Sequence, residues 1–97
     1  MCGLKVRIRC VTDAAEPVSV ECVMTDLEGQ THAFRNHLSV FTMESEPMIP
    51  GDGVIRCSLL EETPMYAVID TALPDNVEST MGQTRFKVSP HDLIDNA

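Results

Sequence analysis

Apolar and polar side chains alternate from the start of the chain. Leu4, Val6, Ile8 and Cys10 interleave with Lys5, Arg7 and Arg9, and this period of two predicts a half-buried strand over residues 4–12. Asp13 to Pro17 reads as a turn. Val18, Val20, Cys22 and Met24 then resume the alternation, with Ser19, Glu21 and Thr25 on the other face. Asp26-Leu27-Glu28-Gly29 has type I turn chemistry with a final glycine suited to positive φ, so the chain reverses into residues 30–36 carrying Phe34. The first third is a three-stranded antiparallel meander.

The middle of the chain is less regular. Residues 38–43 (Leu-Ser-Val-Phe-Thr-Met) read as a short strand or a continuation past a bulge. Glu44 to Gly53 holds two prolines and two glycines, and Pro50-Gly51 suits the central positions of a type II turn. It is the longest irregular stretch and the one that resembles a functional loop. Residues 54–61 and 65–71 are apolar at nearly consecutive positions, as in strands buried on both faces or curled across a barrel, with Glu61 to Pro64 as a hairpin connection. Leu73 to Asn76 is a further turn, and residues 77–80 and 83–88 flank Met81-Gly82 as a last hairpin facing inward with Thr84, Phe86 and Val88. Ser89-Pro90-His91-Asp92 is a helix-start signal: Ser as cap, Pro at the first helical position, an acid soon after.

Two stretches carry a resemblance. One is Pro50-Gly51-Asp52-Gly53-Val54-Ile55-Arg56-Cys57; the other runs from Val68-Ile69-Asp70-Thr71 through Leu73-Pro74 to Val77 and on to Val88. Together they resemble a group of small, uncharacterised bacterial proteins of about this length. The resemblance implies a shared all-β fold and a bacterial, cytoplasmic origin, and it implies no activity.

Composition narrows the class. The 97 residues suit one domain, residues 1–97, and 43% hydrophobic with 23% charged residues excludes a disordered tail. Fifteen acids against seven Lys and Arg give a net charge of -8, which disfavours a nucleic-acid partner. No apolar run has the length of a membrane span and none resembles a secretion signal, so no membrane partner and a cytoplasmic location are expected.

Candidate chemistry is sparse. Cys2, Cys10, Cys22 and Cys57 include no CxxC pair, and the alternation assigns Cys10, Cys22 and Cys57 to the core as reduced thiols. Cys10 and Cys22 are the pair that could face one another across the first hairpin. His32 and His37, five apart on a strand, point to opposite faces, and neither they nor His91 form a metal-ligand spacing with the cysteines. Ser79, His91 and Asp92 can be written as a triad, but Ser79 lacks a nucleophile-elbow sequence and adjacent His and Asp diverge. No metal, no cofactor and no catalytic residue is expected, and an enzyme is the least favoured class.

Two features rise above this background. Lys5, Arg7 and Arg9 share one face of the first strand and Arg85 and Lys87 one face of the last, so a closing barrel would join five of the seven basic residues in a stripe, unless Glu21 and other carboxylates neutralise it. The 43–53 loop places Met43, Met48 and Ile49 among Glu44, Glu46 and Asp52, which is apolar contact area inside an acidic rim, or else a plug for one end of the barrel. The expected fold is all-β: a small, partly open antiparallel barrel of six or seven short strands with a short C-terminal helical turn. The expected role is a non-enzymatic protein-interaction module acting through the 43–53 loop or an edge strand on an unknown protein partner. The alternatives are an immunity-type inhibitor of a basic toxin, for which acidity and size are suited, and a small-ligand-binding barrel.

Overall fold

The computed structural model describes residues 2–95. Their strands are β1 (Cys2–Asp13), β2 (Ser19–Thr25), β3 (Thr31–His37), β4 (Gly51–Glu62), β5 (Ala67–Asp70), β6 (Arg85–Val88) and β7 (Leu93–Asp95). One helical turn, α1 (Leu38–Phe41), lies between β3 and β4, and a 3-10 turn over Pro90–Asp92 precedes β7. Every strand pairing is antiparallel, in the order β3-β2-β1-β4-β5-β6, with β7 against β1. The sheet curls into a half-barrel, the architecture that the short alternating segments predict.

β1 is the shared strand. Cys2 to Ile8 pair with β4 on one side; on the other, Cys2 to Leu4 pair with β7 and Arg7 to Asp13 with β2. The two ends of the sheet approach one another through backbone bonds outside the ladders. Phe34 on β3 bridges Ser79, the Thr80 N–H donates to the Ala33 carbonyl at 2.8 Å, and the Leu27 N–H donates to the Lys87 carbonyl at 2.9 Å. The segment between β5 and β6 therefore closes most of the remaining gap.

The interior is aliphatic with an aromatic centre. Leu4, Ile8, Val20, Cys22, Phe34, Ile55, Cys57, Ile69 and Val88 are fully enclosed. Phe34 meets Phe86 edge-on at 5.5 Å between ring centres, a favoured geometry for the ring quadrupoles. The Asp26–Gly29 turn is held by Asp26, whose Oδ1 accepts from the Glu28 and Gln30 N–H groups, and by Gly29 at φ +85°.

Four expectations are corrected. Residues 38–41 form a helical turn: Leu38 and Phe41, three apart, then face the same way, whereas a strand would send them to opposite faces. Phe41 enters the core and the Leu38 N–H donates to the Val18 carbonyl at 2.8 Å. Pro50-Gly51 is not a type II turn, because Gly51 already starts β4, opposite Ile8, and lacks the positive φ that such a turn requires. What demands glycine there is closeness: a Cβ would strike the Met48 carbonyl oxygen. Leu59, Leu60 and Met65 are exposed instead of buried on both faces, since the described part of β1 pairs with β4 only as far as Cys57 and the β4–β5 hairpin projects past the core. Cys10 is also exposed: a register irregularity between Ile8 and Cys10 sets it opposite Glu21, outside the inward phase.

Candidate functional site

The 43–53 loop meets a surface hollow. α1 and the residues after it form one wall, with Val40, Thr42 and Met43. Outward positions of β7, β1 and β4 form the floor: Ile94, Gly3 and Val54. Arg56 and Asp75 close one end and Asp52 lies at the border, around a volume of about 720 Å3. The Arg56 guanidinium grips Asp75 through two nitrogens, Nε to Oδ2 at 2.9 Å and Nη2 to Oδ1. Asp75 raises the Arg56 pKa above its ordinary value, first through these hydrogen bonds and then through its charge. The groove end is thus a fixed, charge-compensated pair.

The loop residues divide into two kinds. Met43 and Met48 stand out from the fold at 103% and 85% exposure, while Ile49 packs against the core. Glu44, Glu46 and Asp52 are exposed. Ile49 is therefore the plug and Met48 is free, two residues that the sequence pattern treats alike.

The basic residues do not gather into a stripe. β4 and β5 lie between β1 and β6 in the sheet order, so the two sets are separated. Each has its own local partner. Arg7 faces Asp52 at 3.6 Å, Arg9 faces Glu21 at 3.6 Å, and Lys5 donates to the His91 carbonyl at 3.1 Å. Arg85 pairs with Asp70 at 3.2 Å, and Lys87 sits 4.3 Å above the Tyr66 ring. Asp70 is held below the usual carboxylate range by the Ala72 N–H first and also by Arg85.

The residues weighed for catalysis are occupied structurally. Ser79 is buried and its Oγ accepts from the Met81 and Gln83 N–H groups, which shapes the turn before β6. His91 is exposed in the 3-10 turn, where its N–H meets the Ser89 hydroxyl at 3.3 Å. His32 is buried, edge-on to Phe86 at 4.8 Å, with Nε2 2.8 Å from Asp26 Oδ2. That bond, with the Gln30 and Glu28 amides, draws the Asp26 carboxyl below its ordinary range against the opposing effect of burial. His37 is exposed, and among the described residues no three His, Cys, Asp or Glu side chains converge on a metal-sized site.

Two arrangements escape local sequence patterns. Cys2 is buried and lies opposite Cys57, with 2.8 Å between the sulfur atoms. Cys22, by contrast, is buried opposite Ile8, and burial chiefly, then Glu21, pushes its thiol up to about 12. The second arrangement is the free edge of β4: from Ser58 to Glu62 it bonds β5 on one side and no described strand on the other, and it carries Leu59 and Leu60. Cys2 is in phase with Leu4 and Val6, so its inward direction is readable; the register that sets it against Cys57 is not.

No helix among the described residues is long and apolar enough to cross a membrane. Comparisons with known protein families, characterised proteins and solved structures gave no match to this chain.

Proposed function

We propose that this protein is a non-catalytic binding module whose 43–53 loop and adjoining groove take a segment of a basic protein partner. The observation that carries the reading is the pair of methionines. Met43 and Met48 extend into solvent on one loop, as Met65 and Met81 do elsewhere, but Met43 also forms part of the groove wall, so this pair borders a concave surface. Flexible, polarizable methionine side chains suit an apolar contact that has to adapt to its partner. Glu44, Glu46 and Asp52 accompany them, within a net charge of -8, so complementary charge would speed encounter with a cationic surface. The anchors supply contact area at the centre and the carboxylates a polar rim.

An immunity-type inhibitor of a basic toxin is the same surface with a particular partner, favoured by the acid excess. A small-molecule ligand is the second reading, favoured by the groove volume, which lies within the roughly 300–1,000 Å3 usual for such sites. The test is quantitative capture with immobilised wild type beside the Met43→Asp/Met48→Asp double variant, both checked for equal unfolding midpoints. Proteins of high pI retained by the wild type, lost on the variant and released by moderate salt support the reading. Equal retention on both removes the loop. A small molecule found by native mass spectrometry on the wild type alone favours the second reading instead.

A further inference from the structure

We propose that Cys2 and Cys57 form an oxidant-responsive dithiol, which hydrogen peroxide converts into a disulfide joining β1 to β4. The site is distinct from the loop methionines and does not rest on the binding role. Its first support is register. Cys2 and Cys57 are direct partners in the antiparallel ladder. Such partners hold their Cα atoms about 4.5–5.5 Å apart, inside the roughly 4.4–6.8 Å that a disulfide spans. The side chains complete the geometry: the two Sγ atoms lie 2.8 Å apart, and each also approaches the other residue's carbonyl oxygen, at 3.6 and 3.5 Å. Neither sulfur needs a change of backbone to meet the other.

The remaining cysteines lack this arrangement. Cys10 is exposed opposite Glu21 and Cys22 is buried opposite Ile8. Exposure distinguishes the members of the pair as well, since Cys2 retains 7% and Cys57 none. Burial first, then the contact with Cys2, pushes the Cys57 thiol up, so Cys57 stays protonated while Cys2 meets the oxidant. A small peroxide fits such access better than a bulky disulfide reagent.

The chemistry balances in two steps. Cys2 Sγ attacks one peroxide oxygen; an S–O bond forms, the O–O bond breaks, and the departing hydroxide takes the Cys2 proton as water. Cys57 Sγ then attacks the sulfenic sulfur; the S–S bond forms, the S–O bond breaks, and the second hydroxide leaves as water with the Cys57 proton. Two thiols are oxidised by two electrons and one peroxide is reduced to two waters. The product lies directly under the groove, because Gly3 and Arg56, the neighbours of the two cysteines, both line it.

The experiment starts from reduced full-length protein, handled without air and treated with a small excess of hydrogen peroxide. Thiols are counted after denaturation, and the linked peptides are mapped without reduction. The expected result is a fall from the four cysteines of the chain to two, a Cys2–Cys57 peptide, and a rise in Tm on the order of 10 °C that dithiothreitol reverses. Cys10→Ser should keep the bridge and the Tm rise, its three thiols falling to one, and Cys57→Ser should abolish both; the peptide map of the wild type stands even where that variant fails to fold. Four surviving thiols, a Cys10–Cys22 link, a dimer bridged through Cys10, or Cys2 carried on to sulfinic acid would each overturn the proposal.

Discussion

Replacing Thr71 by valine tests how the irregular 72–84 segment is held. Thr71 is fully buried at the end of β5, and its hydroxyl lies by the Val77 carbonyl and 3.2 Å from the Thr84 carbonyl. Valine has nearly the same shape, so little packing is lost. The Thr84 carbonyl keeps the Thr71 N–H at 2.9 Å, whereas the Val77 carbonyl loses the hydroxyl donor. An unsatisfied buried acceptor costs about 1–3 kcal/mol, a large share of the roughly 5–15 kcal/mol that stabilises a typical domain. For a chain of this size that corresponds to a fall in Tm of roughly 5–20 °C. The same segment carries Asp75 to the groove end and Ser79 to the bridge with Phe34, so the loss is felt at both. Urea unfolding followed by circular dichroism gives the midpoint and slope, with Thr71→Ser as the control that keeps the hydroxyl. A Thr71→Val midpoint equal to wild type, or a larger loss in Thr71→Ser than in Thr71→Val, would refute the hydrogen-bond account.

Two further outcomes follow from the turns. Asp26 has a depressed carboxyl pKa in the folded state, so its contribution to stability is full above the unfolded value near pH 4 and is lost as pH falls through the lower folded value. Urea midpoints between pH 2 and pH 6 should therefore fall with acid in wild type and less steeply in Asp26→Asn; parallel curves would count against it. Ser89 accepts from the His91 N–H at 3.3 Å, a long cap bond, so Ser89→Ala should cost about 0.5–1 kcal/mol, the lower part of the usual range, and an unchanged unfolding midpoint would show the cap to be idle.

The parts of the fold that are legible in the sequence are those where one face is buried and the other wet. Leu4, Val6 and Ile8 against Lys5 and Arg7 announce β1, and Val20, Cys22 and Met24 announce β2, because a sheet face imposes a period of two. Legibility fails where a single residue changes the phase. The irregularity after Ile8 removes Cys10 from the core, and nothing in the local pattern marks it. It fails also in pieces too short to establish a period, such as Leu38–Phe41, where one helical turn and a strand look alike. In the loop, composition singles out Met43, Met48 and Ile49 together; only packing separates the plug from the free side chains. The Arg56–Asp75 end of the groove and the Cys2–Cys57 contact depend on register between distant segments. Local sequence contains no record of that register.

The central place of β1 has a consequence for how the molecule is made. β1 and its partner β2 adjoin in sequence, but the other partners of β1 are β4 and the residues Leu93–Asp95 of β7. A nascent chain can close the β1–β2–β3 meander while still on the ribosome, since those turns are short and local. The Cys2–Leu4 edge, however, waits unpaired until Leu93–Asp95 have emerged. Pairing between such remote segments carries the loop-closure entropy of the intervening chain before it returns any contact, which slows folding. Completion of the sheet thus waits on the segment most remote from β1 in sequence, and the interval before it is when the unpaired edge of β1 is open to chaperones or to a neighbouring copy.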